Sequence, residues 1–330
     1  MKKLKTVIIL LVLMVSYKIA LACTAFGIIT ESGTVIGKNR DNLYYAKQNF
    51  ELVMPLRQFD MWYNNNYNHQ HKFYAVMVQN DVKMGVNESG LSAIEEDPLY
   101  PNFHDRKYIQ PVNGNAEGMV LYGILQNFST VSEILPYLKQ IFSVAAPNFY
   151  QIADSNSILT VEVSYGNSNR DTSRKFTYRI VNKHGDYFAH TNTYLTAQYQ
   201  QLNLIGENSL EKSKGSTNRL NKITEFIKSG NDKYQDWFMN MDSNLTSNKN
   251  MNWCKNTSIF RSDIQGESFA GHSIANHRLY GTVSSFIVIN NGNPKTSMVY
   301  LRIIDSITAR SDGTQLIKYS DLTESLEDLF

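Results

Sequence analysis

Cysteine is scarce, with only Cys23 and Cys254 in 330 residues. That excludes a disulfide-dense scaffold and a cysteine-built zinc site. Low-complexity tracts are missing, as are internal repeats at solenoid or propeller periods, so disordered and repeat architectures are set aside. There is no glycine pattern for binding nucleotides and no Lys/Arg-dense stripe, so no nucleic-acid partner is expected. His69-Gln70-His71 is a close histidine pair, but no carboxylate or third histidine stands at ligand spacing. No metal and no cofactor is therefore expected. The apolar run Val7 to Val15 is too short to cross a bilayer, which takes roughly 20 residues.

What is present is a chain 42% hydrophobic and 19% charged, with 20 Tyr and 16 Phe. Its length suits one large domain with a substantial core, or two small ones. The first residues read as a secretory signal. Lys2, Lys3 and Lys5 form a basic start, the apolar run follows, and Ala20-Leu21-Ala22 gives the small-x-small pattern cut by signal peptidase. The expected organisation is a signal peptide over 1–22 and one domain over 23–330, periplasmic or secreted, with no stable membrane insertion after cleavage. An uncleaved anchor is the competing reading, and Lys18 speaks against it. Cleavage after Ala22 also removes four lysines, which takes Lys plus Arg from 32 to 28 against 30 acidic residues. The formal net charge thus moves from +2 to −2.

Cleavage makes Cys23 the first mature residue. A bridge to Cys254 is the ordinary reading of two cysteines in an exported chain. A lipid-modified cysteine is another, although Ala20 stands where lipidation usually needs Leu. The segment that follows favours neither. Cys23 to Ile29 reads as a buried strand, Glu31-Ser32-Gly33 as a turn, and Thr34 to Gly37 as a second strand. Such a hairpin returns Lys38-Asn39-Arg40-Asp41 to the side of Cys23. A free α-amino group, with a pKa of about 7.7–8.0, can take the proton of its own thiol and act as general base. Asp41 would orient the ammonium and thiol, and Arg40 or Lys38 would favour the thiolate.

Cys-Thr-Ala-Phe, a Ser-Gly turn and Gly-Lys-Asn-Arg-Asp resemble the opening of the cysteine-type N-terminal nucleophile hydrolases. More narrowly, they resemble the isopenicillin N acyltransferase-like branch, related to the choloylglycine hydrolases. The resemblance runs by scattered motifs to about Ile304. Gly85-Val86-Asn87-Glu88-Ser89-Gly90-Leu91 is similar to a strand-turn-strand motif of that family and is read as structural. Where the choloylglycine branch has an oxyanion-binding Asn, this chain has Glu95-Glu96-Asp97. These carboxylates cannot donate unless protonated. They are read as a solvated acidic loop, with Asp97 a candidate substrate contact together with Lys38. His190-Thr191-Asn192 resembles the segment whose Asn binds the oxyanion, a role implied for Asn192. His190 is read as structural or substrate-facing rather than as a base. Ser216 or Thr217 is a helix N-cap candidate, which puts Arg219 in a first turn, where the resemblance implies support of the nucleophile's pocket. Gly281 to Ile289 resembles a late strand and is read as central to a sheet.

Strand signals cluster at 23–38, 50–55, 73–79, 83–95, 148–163, 175–190 and 280–303. Helical patterns cover 116–128, 131–143 with Pro136 as a kink, and 210–227. Periodicity gives an α+β domain, and the resemblance implies a four-layer αββα sandwich. The expected activity is hydrolysis of a linear, non-peptide amide through a Cys23 acyl-enzyme, or acyl transfer if an amine replaces water. The expected partner is a small-molecule amide. A homo-oligomer is compatible with the sequence. The rivals are a lipoprotein that only binds ligands and an inactive binding module of the same fold. A papain-like protease lacks its sequence context around either cysteine.

Overall fold

The computed structural model of the chain describes residues 23–43, 48–55, 70–78, 81–98, 117–164, 175–204, 209–230, 232, 234, 280–309 and 315–330. The segment 1–22, His69 and Cys254 lie outside the described residues. Two antiparallel sheets carry the fold. The first holds six strands in the order β10-β1-β2-β11-β12-β13. These are β1 (Cys23–Thr30), β2 (Gly33–Leu43), β10 (Tyr187–Thr191), β11 (Tyr280–Asn290), β12 (Met298–Ala309) and β13 (Gln315–Ser325). The second runs β3 to β9 in simple sequence order. Its strands are β3 (Asn49–Val53), β4 (Phe73–Val78), β5 (Asp81–Asn87), β6 (Ser92–Glu96), β7 (Phe149–Ala153), β8 (Ile158–Val163) and β9 (Phe176–Val181).

Alternation along β1 explains the layering. Ala25 and Ile29 pack into the space between the sheets, together with Ile36, Phe286, Val76, Met84 and Ile94. Phe26 and Ile28 point the other way, against Ile223, Phe226 and Ile227 of α4 (Ser209–Lys228). Both faces are covered, which is why the strand reads as a continuous apolar run rather than as an alternation. The second sheet is backed by α1 (Glu117–Asn127), α2 (Val131–Ile134) and α3 (Leu138–Phe142). Val120, Ile124, Leu125, Ile134 and Phe142 from these helices pack on Phe73, Ala93 and Tyr150. The result is the four-layer αββα arrangement. Pro136 falls in the short 3₁₀ turn Leu135–Tyr137 that breaks α2 from α3, as its missing N–H dictates.

Several long strand signals divide. The spans 83–95, 148–163, 175–190 and 280–303 each form two strands joined by a turn. At 154–157 the turn is made by Asp154, whose Oδ1 accepts from the N–H groups of Asn156 and Ser157. The first hairpin needs a glycine at its return. Gly33 has φ of 145°, and a Cβ there would lie 2.1 Å from the Asn290 carbonyl oxygen.

The Gly-Val-Asn-Glu-Ser-Gly-Leu motif is structural. Asn87 is fully buried; its Oδ1 accepts from the N–H groups of Ser89 and Leu91. Its Nδ2 donates to the carbonyls of Leu125 and Phe128 at the end of α1. One side chain thus closes the turn and satisfies two orphan helix carbonyls. Asn87→Ala would strand those groups, a loss of about 3 kcal/mol. In a thermal melt this variant should unfold at least roughly 5 °C below the parent.

Candidate functional site

The site is assembled at one end of the inter-sheet space. In the β1–β2 register Cys23 pairs with Arg40, and Ala25 with Lys38, so these four side chains share the inward face. Asp41 is next along β2 and pairs with Thr282 of β11, beside a register shift between Thr282 and Ser284. Thr282 donates its hydroxyl to Asp41 Oδ1 at 2.7 Å. The Cys23 thiol is free and 2% exposed.

Asn192 follows β10 directly and is wholly buried. Its Oδ1 accepts from the Cys23 backbone N at 2.9 Å and from Arg219 Nη2 at 2.8 Å. Its Nδ2 donates to the Asp97 carbonyl oxygen at 2.7 Å. Arg219 reaches Asn192 because α4 is pinned to β10 by hydroxyls. Ser216 Oγ lies 2.7 Å from Thr191 Oγ1 and 3.1 Å from Thr193 Oγ1. This corrects the N-cap expectation for Ser216 and Thr217. The helix begins at Ser209, both residues lie in its interior, and Arg219 is well past the first turn. The Ser216 hydroxyl is engaged by the neighbouring strand and not by its own helix end.

The acidic stretch is not a solvated loop. Glu95 and Glu96 are buried on β6 and face opposite sides of their sheet. Glu95 points to the helical layer, where Lys83 Nζ donates to its Oε1 at 2.8 Å and Asn148 Nδ2 to its Oε2 at 2.9 Å. Burial pushes the Glu95 carboxyl up, against the pull of Lys83 and Lys38. Glu96 points between the sheets and meets His190. Charged strand residues survive there because each finds a partner.

His190 is equally buried, and its ring is engaged by two carboxylates. Its Nδ1 lies 3.3 Å from Glu96 Oε2 and 2.6 Å from the Thr191 carbonyl, and its Nε2 lies 3.0 Å from Glu162 Oε1. Burial alone would lower its pKa. The hydrogen bonds and charges of Glu162 and Glu96 outweigh this and carry it up to about 9. Glu162 is held low, its burial outweighed first by the His190 hydrogen bond and charge, then by the N–H groups of Leu195 and Thr196.

At the Cys23 sulfur, burial dominates and pushes the thiol up to about 12. Lys38 opposes this, while Asp97, Glu96 and Asp41 reinforce it. Lys38 is buried, and its ammonium donates to the main-chain carbonyls of Glu95 and Lys83. Lys38 is a cation on β2 whose charge favours the thiolate. Arg40 stands across the ladder from Cys23, and its buried Nη1 has no hydrogen-bond partner among the described residues. The sequence reading did not single out Thr282 or Glu162, and it gave Ser216 and Glu96 other roles. Glu162 carried a usable signal, since a carboxylate inside the apolar run of β8 demands a buried partner. Ser216 and Thr282 carried none.

Lys38→Met removes the charge that stabilises the thiolate, so the thiol pKa rises and reactivity at fixed pH falls. In the processed protein, the iodoacetamide rate at Cys23 should drop roughly tenfold at pH 8, with its pH profile displaced upward. An unchanged profile would show that Lys38 does not set the thiol.

No curated protein matches the chain. Among solved structures it is similar to a penicillin V acylase from Agrobacterium tumefaciens, at 13% identity and TM-score 0.45, over 84% of this chain and 82% of that one. It is similar to a variant of the conjugated bile acid hydrolase from Clostridium perfringens, at 11% identity and TM-score 0.49, over 93% of each chain. It is also similar to an ortholog of N-acylethanolamine-hydrolyzing acid amidase from Caenorhabditis elegans, at 11% identity and TM-score 0.36, over 90% of this chain and 100% of that one. None of the three assigns a substrate or a site residue to this chain. Residues 28–261 match a family model, a span that begins just after Cys23 and contains Lys38, Arg40, Asp41, Asp97, Asn192 and Arg219. The chain belongs to the acyl-coenzyme A:6-aminopenicillanic acid acyl-transferase family.

Proposed function

We propose that this protein is an exported cysteine N-terminal nucleophile amidohydrolase, acting on a linear non-peptide amide, with Cys23 as nucleophile. The observation that carries the reading is the contact of Cys23 N with Asn192 Oδ1, an oxygen shared with Arg219. An amide oxygen accepts only, so an α-amine at that position spends an N–H on Asn192 and keeps its lone pair for the thiol proton. The Arg219 cation beside the same oxygen disfavours a second positive charge and holds the amine toward its basic, neutral form. A thiol raised by burial needs such a base, since little thiolate exists at rest.

The cycle then balances as follows. The thiol proton passes to the α-amine as sulfur bonds to the amide carbon. The tetrahedral oxyanion accepts from the second Nδ2 hydrogen of Asn192, the first being given to Asp97 O. Collapse breaks the C–N bond, and the α-ammonium proton goes to the leaving amine. Water, deprotonated by the α-amine, attacks the thioester and releases the acid and the thiol. An amine in place of water would make the same site an acyltransferase, and the family is named for acyl transfer. Lys38 stabilises the sulfur anion along the way.

The basic start, the apolar run and Ala20-Leu21-Ala22 support export and cleavage after Ala22, giving a periplasmic or secreted protein. The substrate is a small-molecule amide. Mass spectrometry of the mature N-terminus should find a free Cys23 amine; a diacylglyceryl adduct would mean a lipoprotein. An amide-library screen should yield a hydrolysed substrate, and Cys23→Ala should reduce its turnover to background. A form carrying one extra residue before Cys23 keeps the thiol but loses the base, and should be slower by about 10²–10⁴. Full activity in either variant would refute the mechanism.

A further inference from the structure

Asn192 stands at the end of an edge strand. Among the described residues β10 lies at the margin of its sheet and pairs with β1 alone, so one flank of the segment carrying Asn192 has no backbone ladder from them. Side-chain links at successive positions on one face tie this segment to the opposite sheet. His190 meets Glu96, and two residues later Asn192 meets the carbonyl of Asp97, the residue after Glu96. Glu162 brackets the same stretch. It bonds His190 before Asn192 and the N–H groups of Leu195 and Thr196 after it. Gln151 Nε2 holds Glu96 from β7 at 3.2 Å, and the Phe149 ring centroid lies 4.1 Å from that of His190.

A buried ion cluster is a poor way to join two sheets, because desolvation offsets much of its attraction. What it supplies is a fixed separation and direction. We propose that His190, clamped between Glu96 and Glu162, is a positioning residue that sets Asn192 against Asp97 O and so aims the Asn192 amide at the amine of Cys23 and at the developing oxyanion. This rests on the reading of Cys23 as nucleophile.

The charged and titratable groups around the imidazole are Glu96 from β6, Glu162 from β8, and Lys38 and the Cys23 thiol and amine, reached across Ala25, which pairs with His190. Gln151 of β7 is neutral. With its pKa near 9, His190 is charged at neutral pH and releases the clamp as pH rises through that value.

The test compares two reagents on the processed protein. 4-Nitrophenyl acetate acylates Cys23 through a tetrahedral oxyanion, whereas iodoacetamide alkylates it without one. Cys23→Ala subtracts the reaction at other groups. The acylation-to-alkylation ratio therefore reads the oxyanion site and cancels thiol ionisation. The wild-type ratio should exceed that of a cysteine peptide at neutral pH and decline as pH rises through about 9. His190→Gln should lower the ratio at least roughly tenfold at pH 7.5, within the 10²–10³ expected for losing an oxyanion donor outright. Glu96→Gln removes one of the two carboxylates that hold the proton on His190, and should bring the decline to lower pH. It decides the matter if His190→Gln does not fold. An unchanged ratio in His190→Gln, or a decline that Glu96→Gln leaves in place, overturns the proposal. A wild-type Cys23 inert to both reagents would instead sink the nucleophile reading itself.

Discussion

The carboxamide of Asn192 is the contact on which the site depends. Its oxygen takes one hydrogen bond from the start of β1 and one from Arg219 on α4, and its nitrogen gives one to the end of β6. Three of the four layers thus meet at one side chain. No other residue of that size fits all three partners. An aspartate has no hydrogen for the Asp97 carbonyl, and a leucine would leave a guanidinium and a backbone N–H unpaired in a buried place. The amide also has a hydrogen left over after these three bonds. That remainder is what the proposed chemistry uses.

Around this contact, burial and charge work against each other. Burying Cys23 protects the sulfur and raises its pKa, and three carboxylates add to the effect. Lys38 is the counterweight, its ammonium held by main-chain carbonyls from β5 and β6, and its charge acts on both the Cys23 sulfur and the Glu95 carboxyl.

Much of this was legible in the sequence, and the reasons differ by element. The β1–β2 hairpin was readable because its apolar run, turn and glycine agree, and the hairpin alone fixes Cys23 beside Lys38, Arg40 and Asp41. The helix break at Pro136 followed from proline's missing donor. Long strand signals such as 148–163 ran together because both flanking strands are rich in apolar residues, and only the Asp154 turn separates them. The start of α4 was misplaced because Ser216 has the composition of a cap, while its actual partners, Thr191 and Thr193, are distant in sequence. Glu95 to Asp97 looked like a solvated loop for a similar reason. Their partners Lys83, Asn148, Gln151, His190 and Asn192 are spread along the chain, and no local rule joins them.

β6 carries two consecutive buried carboxylates, Glu95 and Glu96. Alternation sends them to opposite faces, so each meets a separate cation, Lys83 on the helical side and His190 between the sheets. An apolar pair would hold the layers together at less desolvation expense. It would not fix direction, because apolar contacts slide and rotate with little penalty, whereas a carboxylate with two defined donors does not. The strand end fixed in this way is the one that offers the Asp97 carbonyl to Asn192. Charge is thus buried where orientation matters most, at the last ladder position before the site, and the apolar packing of Val76, Met84 and Ile94 takes over deeper in the same space.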